Sequence, residues 1–492
     1  MFSYEKIGFS NLTSAPAVER VVEFSPSGID AAAIVRVLSL AADGKAVSAE
    51  AGDGYAEVSG RVNFRLVYVN RDGEAAGADY NADFSLRVEG DFTLNDSVVA
   101  DVTVLEADVA AGDSLTFSAV ISVKASCVRR EEINALTDAE QCYKTTETLT
   151  LPVLVAAKTV SVPVSDEAEA GEVDRVVLCD GQAVVTATSA ENGKVVVEGN
   201  VSAAVSYVED GRLETVRFEI PFTEEIIADG AEEGDRVSAS AVVRNCKIVL
   251  AGVTGANIVR FEADVAVRAL VTRMSSTEVV DDLFMLTNET DITRQNAAYR
   301  VFCGQNYISE KVTGTAPLGD RPDAQSVIAV PYAHCTVART ERTDSGVTVE
   351  GVLTADVVYR DENGLNSVRA EVPFSFEKTG DYGDNLTACC LVERVSAKAR
   401  RGTDIDIDAS VGIMLSSYCE GASSYVAEVV AGAEKEQNTA AISLYIAQEG
   451  DTMWELCKAL TATPDEIMGQ NPALTVPLKE GERVVYFRAL GL

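Results

Sequence analysis

The feature that most constrains this chain is that it repeats itself. Three segments share one pattern: Glu57-Val58-Ser59-Gly60-Arg61-Val62, Val197-Glu198-Gly199-Asn200-Val201 and Val349-Glu350-Gly351-Val352-Leu353. A tyrosine stands eight residues after each glycine, at Tyr68, Tyr207 and Tyr359. In the second copy Val195, Val197, Val201, Ala203, Val205 and Tyr207 fall on one face, and Glu198, Asn200, Ser202 and Ser206 on the other. Val347, Val349, Leu353, Ala355, Val357 and Tyr359 repeat this in the third copy, and Val58, Val62, Phe64, Leu66 and Tyr68 in the first. Successive strand side chains point to opposite faces, so this alternation specifies a half-buried strand. A glycine on the inward face predicts a bulge or a close backbone approach at mid-strand.

The match continues through a turn rich in Asp, Asn and Gly: Asn70-Arg71-Asp72-Gly73, Glu209-Asp210-Gly211 and Asp361-Glu362-Asn363-Gly364. Such residues accept positive φ and signal hairpins. A second alternating strand follows, ending at Phe222 and Phe374, each preceded by proline (Pro221, Pro373). A proline there lacks a ladder donor and belongs at a strand end or on an edge. The first copy reaches Phe84 one residue late and has Asp83 in place of proline. Further strands close on Leu115 to Val123, Val259 to Ala269 and Ile405 to Leu415. The reading is three related all-β units of roughly 120 to 150 residues, at 1–155, 156–310 and 311–436. Glu131 to Cys142 and Asp281 to Thr293 carry helix-like spacing and are expected to link or cap units. Asp166 to Gly171 and Ala431 to Gln437 read as exposed linkers.

Composition narrows the function. The chain has 492 residues, with 41 Lys+Arg against 77 Asp+Glu, a formal charge of −36. Phosphate recognition needs a basic footprint, so nucleic acid is an improbable partner, as is an anionic membrane surface. The acidity promotes solubility and would also suit a basic partner. With 47% hydrophobic residues there is ample material for packed cores. His334 is the one histidine, which removes a His-based triad or multi-His metal site; beside Cys335 it reads as structural, with no orienting partner in view. The ten cysteines are scattered without a CxxC, so neither a zinc ribbon nor a disulfide framework is indicated. Cys389 and Cys390 would face opposite sides of a strand. No signal peptide is evident after Met1, and the apolar stretch Ala31 to Ala42 is broken by Arg36 and too short to span a bilayer. A cytoplasmic setting is expected. No catalytic set, metal site or cofactor is predicted, and a glycan hydrolase lacks credible acid and base residues.

The period changes near residue 440. A short strand, Ile442-Ser443-Leu444-Tyr445-Ile446, runs into Glu449-Gly450-Asp451-Thr452. Thr452-Met453-Trp454-Glu455 and Thr463-Pro464-Asp465-Glu466 both have capping-box spacing, each opening a helix. The second helix should stop near Gln470-Asn471-Pro472, and Arg483-Val484-Val485-Tyr486-Phe487 forms a final strand. The expected fold class is therefore mainly β: three β-sandwich-like domains followed by a small α+β module, βααβ, at 440–492. This module has four basic and seven acidic residues, so the acidity belongs to the repeats.

The run from Tyr445 to Trp454, then Asn471-Pro472, then Pro477-Leu478-Lys479-Glu480-Gly481-Glu482, closely resembles a LysM domain. Cys457 replaces the aliphatic or alanine residue usual in its first helix. With the three upstream repeats, the chain resembles the SPOCS/DUF3794 family, which includes the SipL-type spore coat morphogenetic proteins of Clostridia. That resemblance implies a non-enzymatic scaffold or adaptor in spore coat assembly, on the mother-cell side of the forespore surface. The LysM module would recruit a coat-basement morphogenetic ATPase of SpoIVA type or another coat protein. The repeats, with exposed edges, would add contacts by strand augmentation. The alternative is a cell-envelope protein that binds peptidoglycan or a chitin-like N-acetylglucosamine glycan. In either reading the LysM groove comprises Gly450, Asp451, Thr452, Met453, Trp454, Asn471, Pro472 and Leu478. Each also has a structural role available: Gly450 and Asp451 in a turn, Trp454 in a core, Asn471 at a helix stop.

Overall fold

The computed structural model describes residues 2–26, 33–111, 114–253, 256–383, 385–435, 441–475 and 477–487. Each repeat contains a three-stranded antiparallel meander. The first comprises β3 (Arg36–Gly52), β4 (Tyr55–Val69) and β5 (Ala75–Glu89); the second β9 (Val173–Glu191), β10 (Lys194–Glu209) and β11 (Arg212–Ile227); the third β15 (Ser326–Thr343), β16 (Gly346–Asp361) and β17 (Gly364–Thr379). The central strand of each carries the repeated glycine, and directly opposite it stands the repeated phenylalanine: Gly60 against Phe84, Gly199 against Phe222, Gly351 against Phe374. The phenylalanine ring lies over the glycine, in the space a Cβ would take. On the other side the neighbouring strand bulges, between Ala46 and Ser48, opposite Glu198/Gly199, and between Val337 and Arg339. Both the bulge and the close approach expected of these glycines are thus present.

Pro221 and Pro373 lie in mid-strand, but on β11 and β17, which pair on one side only. In the first repeat Asp83 takes that place and its carboxylate meets Arg61 across the ladder at 2.6 Å. The late Phe84 follows from the hairpin. Asp210-Gly211 is a two-residue loop at positive φ (48° and 71°), whereas the first repeat uses the wider loop Asn70 to Glu74, tied by the Asn70 side chain to the Asp72 and Glu74 amides at 2.9 Å.

A second sheet covers each meander. In the second repeat β8 (Tyr143–Ala170) and β12 (Arg236–Val253) flank β13 (Ala256–Phe284); in the third β14 (Asn288–Pro317) and β18 (Asn385–Arg400) flank β19 (Asp404–Glu434). In the first, the place of β8 is taken by two pieces, β1 (Phe2–Ser14) and β2 (Val18–Phe24), broken at Pro16; both pair with β7 (Leu115–Ala139), whose other neighbour is β6 (Val99–Ala111). Each pair of sheets encloses its own apolar core. Strands β8 and β14 run unbroken through positions 155 and 310.

The long strands correct four expectations. Glu131 to Ala139 and most of Asp281 to Thr293 are strand, not helix-like caps. Asp166 to Ala170 pair with β13, and Ala431 to Glu434 belong to β19; Glu436 and Gln437 lie outside the described residues. Asp166 to Ala170 edge the three-stranded sheet, since β13 pairs there with β12 as well, and the other segments are parts of two-stranded ribbons that extend past the sandwiches. At the inner ends the ribbons of the three repeats meet about a pseudo-threefold axis. Leu136, Val280 and Val426 from equivalent positions share one buried cluster with Ala139, Leu283 and Val429. Ala135, Val279 and Tyr425 share another. Adjacent residues enter different clusters because they point to opposite faces of the ribbon, and the ladder skips at Thr137, Asp281 and Ala427 return Ala139, Leu283 and Val429 to the same face as Leu136, Val280 and Val426.

The meander sheets also close on one another. Leu38, Ala41, Val67, Val177, Leu178, Leu213, Tyr332 and Val358, drawn from all three repeats, form one cluster. Polar joints surround it. Arg65 pairs with Asp180, and Arg175 donates to Glu74 Oε2 at 2.9 Å and the Ala75 carbonyl, joining repeats one and two. Arg217 donates to the Val330 carbonyl at 2.7 Å, joining two and three. Asp356, buried, accepts from Ser39 Oγ at 2.9 Å, from the Leu40 amide at 3.1 Å and from Arg369, joining three and one. The edges β5, β11 and β17 therefore abut the next repeat around the ring along part of their length.

Candidate functional site

The C-terminal module has the order β20 (Ile442–Ile446), α1 (Met453–Leu460), α2 (Pro464–Gln470) and β21 (Arg483–Phe487). Both capping boxes form: Thr452 with Glu455 and Thr463 with Glu466 each satisfy otherwise orphaned helical amides. β20 and β21 pair antiparallel, and Leu456, Cys457, Leu460, Ile467, Leu478 and Val484 make the core.

The eight groove residues divide by what they hold. Gly450 adopts φ +90°, open only to a residue without a Cβ penalty. Asp451 accepts from the Tyr445 hydroxyl at 2.7 Å and the Gln448 amide at 2.8 Å, and its carbonyl accepts from the Leu478 amide at 3.1 Å. The Gln448 amide, and then Tyr445, hold its carboxyl below the usual range. Asn471 stitches α2 to β21: its amide donates to the Ile467 and Val485 carbonyls at 2.9 and 2.8 Å, and its oxygen accepts from the Val485 amide. Leu478 is buried and Met453 packs on the core, while Thr452 is the cap and Pro472 is exposed. Gly450 to Thr452 and Leu478 are brought together; Trp454 is turned elsewhere.

Trp454 faces the second repeat. Its indole Nε1 donates to Asp282 Oδ2 at 2.8 Å, and Lys458, one turn on, reaches both oxygens of the same carboxylate at 2.8 and 2.6 Å. Burial pushes the Asp282 carboxyl up, but the bonds from Lys458 and Trp454 outweigh it, and its pKa lies below the ordinary carboxylate value. Phe284 meets the Trp454 ring edge-on at 5.1 Å and stacks on Tyr143 at 5.4 Å. Phe284 and Tyr143 join the module's core, so one apolar cluster spans the joint. The sequence reading placed Trp454 in a core but missed Asp282 and Phe284, which lay in a segment expected to link or cap units, and Tyr143, which lay just past the other such segment.

Docking through α1 leaves the outer face of the module's sheet bare. Ile442, Leu444 and Ile446 are 57%, 56% and 59% exposed, and Phe487, opposite Ile442, is 54% exposed. The signal was legible in Ile442-Ser443-Leu444-Tyr445-Ile446. Apolar residues on both faces of one strand are more than a single core requires.

His334 sits where repeats meet: its Nδ1 lies 3.3 Å from Gln182 Nε2 of the second repeat, in a ring stacked on Tyr332. Burial lowers its pKa, against a smaller opposing pull from Asp180. Cys390 turns toward the core of its repeat and Cys389 away from it. The cysteine reading needs one correction. Cys303, at the bulge where β14 skips against β19, forms a disulfide with Cys419, their Cα atoms 5.8 Å apart. A separation of 116 residues concealed the pair. Among the described residues no helix is long and apolar enough to cross a membrane.

Residues 172–251 match the family model described as SipL, SPOCS domain. The match spans the second meander, β9 to β11, and most of β12. No curated protein and no solved structure matches the chain. The chain thus carries a SipL/SPOCS-type segment, centred on the repeat that docks the C-terminal module.

Proposed function

We propose that this chain is a non-enzymatic scaffold of spore coat assembly whose LysM-like C-terminal module recruits a coat morphogenetic protein, such as a SpoIVA-type ATPase. The observation that carries the reading is the bare apolar sheet face of Ile442, Leu444, Ile446 and Phe487, on a module whose α1 is fastened to the second repeat. Contiguous exposed apolar surface marks protein interaction sites. A neutral sugar would instead use the loop groove, where Asn471 already spends its polar atoms, and Asp451 its Oδ2, inside the module. The SipL-type segment at 172–251 supports the sporulation setting. The repeats supply a closed, acidic platform that holds the module at a fixed place.

The test uses purified full-length chain and purified coat ATPase. Leu444→Asp with Ile446→Asp should weaken capture about tenfold or more, as expected when central apolar anchors are lost, while Pro472→Ala leaves it unchanged. Pelleting with purified peptidoglycan that depends on the groove residues, together with unaltered capture by the apolar-face variant, would overturn the proposal in favour of a glycan binder.

A further inference from the structure

A disulfide serves as a staple where a domain is too small to bury a core, and the third repeat does not need one. Its sandwich encloses Ile308, Leu353, Tyr359, Val411 and Ile413, and neither Cys303 nor Cys419 belongs to that core. The bridge lies outside it, at the bulge of β14. Phe302 faces Tyr418 and Gly304 faces Ser417, which leaves Cys303 as the extra residue of the ladder. Both cysteines are half-buried. They line a cleft of about 370 Å³ together with Arg236, Gln305, Asp381 and Gly383, a volume in the range of small-molecule sites.

The cleft lies on the seam between the second and third repeats. Arg236, at the start of β12, donates to the Phe302 carbonyl at 3.4 Å, and its Nη1 lies 3.8 Å from Cys303 Sγ. Gln305 closes the seam beside it, accepting from the Ala239 amide at 3.2 Å and donating to the Ala239 carbonyl at 3.3 Å. One sulfur is thus set against a cation. The other is left bare: a Cβ built on Gly383 would stand 3.1 Å from Cys419 Sγ, so the glycine puts no side chain over that sulfur. The two sulfurs differ in the way thiol–disulfide exchange requires. Exchange needs access to the attacked sulfur and is faster when the other departs as a stabilised thiolate, and a neighbouring arginine stabilises a thiolate.

We propose that the Cys303–Cys419 disulfide is an exchange site for a low-molecular-weight thiol of the glutathione class, which enters the cleft and attacks Cys419. The small thiol gives its proton to solvent, and its sulfur bonds to Cys419 Sγ as the bond between Cys303 and Cys419 breaks. The electron pair stays on Cys303, as a thiolate beside Arg236. A second small thiol then attacks the incoming sulfur of the mixed disulfide, releasing the small disulfide and the Cys419 thiolate. The bridge is reduced by two electrons while two small thiols are oxidised to one small disulfide. In the reverse direction the small disulfide is the oxidant and closes the bridge. Because the bridge ties residues 116 apart in sequence, its state sets how tightly the third repeat is constrained.

The test incubates the oxidised full-length chain with reduced glutathione, traps free thiols with an alkylating reagent over time and reads Cys303 and Cys419 by peptide mass spectrometry. Both should become labelled while the fold stays native, with glutathione caught as a mixed disulfide on Cys419. Arg236→Gln should slow the exchange about threefold or more and Arg236→Lys should restore most of the rate, with the exposed Cys389 labelled equally in all three. An arginine that only holds the seam would give the opposite sign, since loosening the seam uncovers the bridge. The reduced chain should melt below the oxidised one, as should Cys303→Ser with Cys419→Ser, whose Tm glutathione no longer moves. A bridge that stays oxidised in excess reduced glutathione until urea unfolds the chain would overturn the proposal. So would failure of oxidised glutathione to close it, glutathione found on Cys303 alone, or a rate unchanged or raised in Arg236→Gln.

Discussion

Gly199→Ala is the most direct perturbation of the repeated motif. A Cβ built on Gly199 would stand 2.6 Å from the Val184 carbonyl oxygen, well inside the 3.0 Å below which real Cβ atoms essentially never come, and would also overlap the Phe222 ring. The backbone of Gly199 is ordinary strand, so the cost is steric and not conformational. The ring can swing aside, but the carbonyl belongs to the bulged ladder of β9 and moves only with its strand. Overpacking of this kind costs about 1–3 kcal/mol. Displacing Phe222 would add a share of the roughly 1.5–3 kcal/mol that burying such a side chain provides. Urea unfolding followed by circular dichroism would read the loss as a lower midpoint at constant slope. Gly199→Ala combined with Phe222→Leu separates the two contacts: relief of the ring clash alone should recover only part of the loss. Gly469→Ala is the control, since Gly469 lies inside α2 with no heavy atom within 4 Å of its Cβ position; it should stabilise by up to about 1 kcal/mol. A Gly199→Ala change within about 0.3 kcal/mol of the parent would refute the steric reasoning, because independent effects of that size are noise in such comparisons.

Asp356→Ala should cost about 3–5 kcal/mol by stranding the Arg369 charge at the joint between the third and first repeats, and Asp356→Asn should cost less; the same urea midpoint checks both. The chain has one tryptophan, so its fluorescence reports docking of the module. Asp282→Ala should red-shift Trp454 emission and lose roughly 1.5–3 kcal/mol of docking free energy, the worth of hydrogen bonds to a charged group, whereas the surface change Lys311→Met leaves the spectrum unchanged. His334 makes stability depend on pH. Its pKa is lowered by burial in the fold and sits near about 6.5 when unfolded, so protonation favours the unfolded chain. That contribution is complete above about pH 6.5 and falls as pH drops below it. Tm measured from neutral to mildly acid pH should decline less steeply for His334→Gln than for the parent.

Much of the fold was legible because a sandwich strand keeps one dry face and one wet one. Val195 to Tyr207 wrote that alternation plainly, and Asp210-Gly211 marked the turn. The ribbons were illegible for the opposite reason. There both faces are buried, so adjacent residues, Ala135-Leu136, Val279-Val280 and Tyr425-Val426, enter two different clusters, and a bulge follows each pair at Thr137, Asp281 and Ala427. The next buried positions, Ala139, Leu283 and Val429, then fall three residues on. Spacing of that kind imitates a helical face, and only the partner strand distinguishes the two. Within the module, turn and cap chemistry is local and was readable, whereas its docking partner Asp282 lies 172 residues from Trp454 and leaves no local trace.

The closing of the ring was hidden for a further reason: its joints sit where the repeats differ. Counting five residues from the repeated glycine gives Arg65, Ala204 and Asp356. The first reaches across to Asp180, the last to Ser39 and Leu40, and the alanine makes neither bond, its joint served instead by Arg217. Three identical units would place three like charges at these positions around a shared apolar cluster, and like charges so enclosed repel. Divergence at one position in each copy lets every joint carry its own partner and fixes the order in which the units close. The residues that alternate alike in all three copies build the sandwiches; the residues that break the likeness assemble them.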